Sequence, residues 1–164
     1  MASQAAVEDA GREMLRHTVA TLAYRGAKAM RGAPGHFAEF GTTEKTRTPS
    51  QLVAHIGDLL DWALSMAQGK HAWHDSTPLA WDAGVQRFHT ALEAFDAYLA
   101  SGEPLQVSAE KLFQGPIADA LTHVGQLTML RRLAGAPIRP ENYFKADIAA
   151  GRVEAEQKAA VQEF

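Results

Sequence analysis

Asp119 and His123 stand four residues apart in the stretch PIADALTHVGQLTMLRRLAG, and His55 stands in a second periodic stretch, TPSQLVAHIGDLLDWALSMA. Residues four apart on a helix stack on one face, so Asp119 and His123 aim at one point. His55 would supply a third ligand from across a helix bundle. Two imidazoles and a carboxylate, with coordination positions left over, suit a catalytic divalent metal. Zn, Ni, Fe and Mn all accept this donor set, and availability often decides between them. Taken singly, each residue has an ordinary role: a core histidine with one hydrogen bond, or an acid near a helix start that complements the macrodipole. Together they carry a desolvation cost of several kcal/mol. A cation offsets it, since structural zinc sites reach on the order of 10 kcal/mol of binding free energy.

The elements that must position these residues are four helices. The first spans about Gln4 to Met30, with Leu15, Val19, Leu22 and Gly26 at helical spacing, and GAPG ends it. The second opens on Thr48-Pro49-Ser50-Gln51, an N-cap, a first-turn proline and a capping-box Gln. Its stripe is Leu52, His55, Ile56, Leu59, Ala63 and Met66, and Gly69 closes it. A third start is expected at Thr77-Pro78, with a seam of Trp81, Val85, Phe88, Leu92, Phe95 and Leu99 that Gly102 ends. The fourth runs from about Pro116 to just before Gly135 and is apolar on most sides, so it is expected to be the most buried. The tail after Gly135 is expected to add one or two short helical pieces across a bundle end.

The expected fold is therefore all-α, an antiparallel four-helix bundle with a short helical C-terminal tail, residues 1–164 forming a single domain. In an up-down-up-down bundle the second and fourth helices run the same way. His55 lies six residues after Pro49 and His123 seven after Pro116. At about 1.5 Å per residue both then sit roughly 10 Å from their helix starts, at one level.

Composition bounds the function. The chain has 164 residues, a net charge of -3 and 21% charged residues, enough for a core and without a basic field for nucleic acid. It has no cysteine, which excludes disulfides and thiolate ligands, so any thiol chemistry needs an external thiol. No apolar run is long enough for a bilayer, and the N-terminal stretch lacks the basic start and apolar run expected of a secretory signal. A cytoplasmic location is the expectation. Di-iron Glu-x-x-His pairs, His-Glu-x-x-His, a P-loop and a Gly-x-Ser-x-Gly elbow are all missing.

With these residues placed, the chain resembles the DinB/YfiT-like metalloenzyme superfamily over nearly its whole length. The resemblance rests on the order of the four helices, a His in the second turn of helix two, and the HVGQ run of helix four followed by an Arg and a Gly. His55 matches the helix-two ligand, His123 the second His of the family's His-x-x-x-His, and Gly125 and Gln126 its Gly-Gln. Asp119 departs from the pattern, standing where most members have His. A carboxylate, Glu, takes that place in the branch resembling mycothiol-dependent maleylpyruvate isomerase. The resemblance implies a compact bundle, often a homodimer, with a divalent metal at one end. It also implies chemistry of the kind known in relatives that use low-molecular-weight thiols for transfer or isomerisation.

Three functions are open at this point. One is a metal-dependent thiol transferase, isomerase or hydrolase acting on a small-molecule substrate. Another is a metal- or ligand-binding bundle without turnover, and the last is a metal-free interaction module. The remaining histidines, His17, His71, His74 and His89, read as solvated, with His71, Trp73 and His74 in a loop that would rim the site. Asp58, one turn after His55, reads as solvent-facing, with support of the metal ligands as the alternative. Arg131 reads as a dipole partner or a contact for an anionic substrate, and Trp62 and Tyr24 as packing.

Overall fold

The computed structural model describes residues 4–164. Among them are four long helical runs: α1 (Gln4–Met30), α2 (Pro49–Ala67), α3 (Trp81–Ala100), and a run assembled from α4 (Ala109–Leu112), a π-helical turn (Phe113–Ile117) and α5 (Ala118–Leu133). Among the described residues every regular element is helical, apart from an isolated antiparallel bridge between Glu141 and Glu163. No helix among the described residues is long and apolar enough to cross a membrane.

The start of α2 is encoded locally. Thr48 Oγ1 accepts from the Gln51 backbone N–H and the Gln51 side chain accepts from the Thr48 N–H, closing a capping box ahead of Pro49. The third helix begins at Trp81, not Thr77, because residues 70–80 are held in a different conformation by side chains of α2. The last run begins seven residues before Pro116, at Ala109, with Ser108 as its side-chain cap. Pro116 lies inside it. A proline there lacks a donor and collides with the preceding turn of an α-helix, and the widened π-helical turn around it accommodates both defects.

Helix directions depart from an up-down-up-down order. Arg12 and Arg16 of α1 reach Leu99 O at 3.1 Å and the Asp96 carboxylate at 3.1 Å, while Gly26 faces Phe88, so α1 and α3 are antiparallel. Gly84 faces Val53 near the starts of α3 and α2. Tyr98 Oη donates to Ala67 O at 3.3 Å near their ends. These two helices therefore run in parallel. Gly11 faces Ala109 and Arg131 Nη1 donates to Ala29 O at 3.2 Å, so α1 and α5 are also parallel. Helices α2 and α5 consequently oppose each other.

The parallel α2–α3 pair requires a crossover, and residues 68–80 supply it as a strap that retraces α2 from end to start. Ala72 N–H donates to Ser65 Oγ at 2.6 Å and Ser76 N–H to Asp58 Oδ2 at 2.9 Å. With α3, α5 and the strap around it, α2 is the most buried helix. The last helix is not, since Met129 and Leu133 lie 51% and 57% exposed.

The core holds Leu22, Phe37, Ile56, Leu60, Phe88, Phe95, Ile117 and Leu127, all buried. Gly26 is required where α1 crosses α3, because a Cβ there would collide with the Phe88 ring. The tail carries one 3-10 turn (Tyr143–Lys145) and otherwise runs irregularly, with Val153 in the core. Lys28 clamps it through Glu141 at 2.6 Å and Glu163 at 2.9 Å, and Tyr24 Oη donates to Glu141 at 2.6 Å.

Candidate metal centre

The structure brings His55, Asp119 and His123 together. His55 lies in the second turn of α2, and Asp119 and His123 lie one turn apart on α5. His123 Nε2 is 3.3 Å from Asp119 Oδ1 and His55 Nε2 is 3.8 Å from Asp119 Oδ2. The imidazole rings meet edge to face at 4.8 Å between centroids. One ligand atom from each residue lies within 4.8 Å of the others. Ligand bonds of about 2.0–2.2 Å in tetrahedral geometry place donor atoms roughly 3.3–3.6 Å apart. The pairs to Asp119 are therefore at or near coordinating separation, and the donor set fits a divalent cation.

The level match arises differently from the sequence argument. His55 sits near the start of α2, whereas His123 sits near the middle of the run Ala109–Leu133. They coincide because the helices oppose each other and the last run starts early.

Each ring is prepared to offer a lone pair. His123 Nδ1 lies 3.0 Å from Gln126 Oε1. The amide oxygen only accepts, so Nδ1–H donates and Nε2 is left as the free donor atom facing Asp119. His55 is held below the ordinary histidine range, first by burial, then by the positive charge of Arg47 and by His123, against the opposing pull of Asp119 and Asp58. It is neutral at neutral pH. The Asp119 side chain is 48% exposed, which leaves one side of the group open to solvent.

Beside His55 stands an aromatic pair. Trp73 of the strap meets the His55 ring edge to face at 5.8 Å, and Trp62 of α2 meets Trp73 at 5.7 Å. Beneath them lies a second cluster, in which Asp58 is buried rather than solvent-facing. It accepts from Ser76 Oγ at 2.6 Å, Ser76 N at 2.9 Å and Arg87 Nη2 at 2.8 Å. Arg87 Nη2 also reaches Asp61 at 2.6 Å, and the His74 ring stands between both carboxylates at 3.1 and 3.3 Å. Asp58, Asp61 and His74 are close enough to hold a metal, but the Arg87 guanidinium already takes the cation's place. Gly57 makes room for it, since a Cβ there would collide with Arg87 Nη1.

Other expectations are revised. His89 is buried, not solvated, with Nδ1 donating to Val153 O at 3.1 Å. Arg131 is buried as well and donates to the carbonyls of Ala29, Arg31, Gly32 and Ala136, so it caps the end of α1 and its own helix. His17 and His71 are exposed. Sequence reasoning missed the Asp58–Ser76–Arg87 anchor. Its available signal was the spacing of His55, Asp58 and Asp61 along α2, followed by a loop too long for a hairpin between antiparallel helices.

Searches of protein-family models, curated proteins and solved structures return no match to this chain.

Proposed function

We propose that the protein is a divalent-metal-dependent enzyme whose ligands are His55, Asp119 and His123. The observation that carries this reading is the convergence of three ligand-capable atoms within 4.8 Å on two opposed helices, with a neutral His55 and a His123 tautomer set by Gln126. Three protein ligands with an open side is the catalytic arrangement, where structural sites close with four. A cation there would supply Lewis acidity, easing loss of a proton from a thiol or water at the open side.

The chain's own residues do the rest. Gln126 fixes the His123 ring, Asp119 contributes negative charge at the solvent edge, and the strap carrying Trp73 screens His55. The chain contains no cysteine, so a thiol nucleophile is a separate small molecule. The resemblance to DinB/YfiT-like enzymes favours a low-molecular-weight thiol in transfer or isomerisation, with hydrolysis as the variant in which water takes its place. The identity of the metal, among Zn, Ni, Fe and Mn, follows availability.

Metal analysis and turnover test the proposal. The purified chain is expected to take up about one divalent ion per molecule, and His55→Ala and His123→Ala to lose it while keeping their helical content. Thiol-dependent consumption of electrophiles by the loaded form, missing in the metal-free form, is the expected activity. Binding without turnover across a broad thiol and electrophile panel supports a metal-binding bundle instead, and no uptake ends the metal reading.

A further inference from the structure

Trp73 has no task in the core. It is 43% exposed, yet the strap that carries it is tightly held. Ser65 and Asp58 anchor the strap on either side, at residues 72 and 76. His71, two residues before Trp73, adopts φ 51°, a left-handed conformation that costs a non-glycine residue about 1 kcal/mol or more and persists only where its surroundings impose it. Trp73 is thereby fixed beside His55 with Trp62 behind it. His55, one of the three candidate ligands, thus has an aromatic wall along one edge.

We propose that Trp73, backed by Trp62, is the substrate-selecting wall of the site and seats a flat aromatic or conjugated group next to the metal ligands. This rests on the function proposed above and names the substrate class for that site. An indole held in place loses little conformational freedom on binding and offers a large apolar surface with a quadrupole that favours stacked or edge-on rings. Puckered aliphatic groups of equal size lose the ring contact.

The test uses the full chain, as purified and after loading with Ni2+ or Zn2+, and two probes with the same skeleton and charge: 2-naphthoate and decahydro-2-naphthoate. Calorimetry or equilibrium dialysis reads their affinities. Both forms of the protein are expected to prefer the flat probe by about tenfold, a difference of the size that ring contacts supply. Trp73→Ala is expected to bring the two probes to near parity, Trp73→Phe to keep most of the preference, and metal content to stay unchanged in both. Equal affinities in the wild type, no binding of either probe at millimolar concentration, or a preference that survives Trp73→Ala overturns the proposal. So does a Trp73→Ala protein that loses its metal, because Trp73 would then be a prop for His55. If the wild type takes up no metal, the metal chemistry fails while the probe preference of the metal-free chain still decides on the wall.

Discussion

Removing the Asp58 carboxylate should release the strap and expose its energetic weight. Asp58 is 2% exposed and accepts three hydrogen bonds, two from Ser76 and one from Arg87. Bonds to a charged group are worth about 1.5–3 kcal/mol each, and they do not add when they share one acceptor. Arg87 keeps Asp61 as a partner at 2.6 Å, so Asp58→Ala does not strand its charge. These considerations set the loss at about 3–4 kcal/mol, or roughly 10 °C in melting temperature for a chain of this size. Asp58→Asn keeps one acceptor and should lose about half as much.

The pH dependence has a definite sign. Burial alone would raise the Asp58 pKa, but hydrogen bonds from the Ser76 side chain and backbone and the charge of Arg87 outweigh it and hold it below the ordinary 3.8. A depressed carboxylate contributes its stability above the unfolded pKa and loses it as pH falls through the folded one. Urea unfolding at neutral pH should therefore show the full gap between wild type and Asp58→Asn, and the gap should shrink below about pH 4. Trypsin provides a second readout, since Lys70 lies in the strap and should be cut faster in Asp58→Ala. A loss under about 1 kcal/mol, or a gap that widens in acid, would refute the anchoring role.

Other expectations follow from the same packing. Arg131→Lys should cost about 2–3 kcal/mol in urea unfolding, because one ammonium cannot reproduce a fork that serves four carbonyls; full stability of the variant contradicts the capping role. Gly26→Val should lose about 1–3 kcal/mol through displacement of Phe88, with a crystal structure showing an unmoved ring as the contrary result. His89 is held below the ordinary histidine value, chiefly by burial, with its bond to Val153 opposing. The unfolded chain therefore binds its proton first, stability falls with pH from about 7 towards 5, and His89→Leu should flatten that slope when metal-free protein is unfolded in urea. An unchanged slope would contradict the neutral, buried ring.

Much of the helical content was legible because it is written locally. The capping box at Thr48 and Gln51, the GAPG stop after Met30 and the stripe from Phe88 to Leu99 need no tertiary information. The last helix was misjudged at its start because Pro116 reads as an N-terminal signal, and only packing against α1 and α2 makes a proline tolerable inside the run. Helix direction was legible only in the length of residues 68–80, which exceeds that of a helix hairpin. No residue of the strap announces its partners, since it is held by the Ser65 and Asp58 side chains of α2. The three candidate ligands were nevertheless found, because polar side chains in apolar stripes stand out whatever the direction of the helices. Asp58 has the same property, and its hydrogen-bond partners come from the strap and α3.

The widened turn at Phe113–Ile117 sets the phase of everything after it. One surplus residue in a helix rotates the downstream portion by about 100° relative to the upstream portion. Ala109 therefore faces α1 while, a few turns later, Asp119 and His123 face α2. A single-codon deletion at Gly115 would restore a regular spiral and swing the acid and the imidazole away from His55 without touching any of the three. In this architecture one inserted amino acid suffices to assemble or scatter a candidate metal-binding constellation.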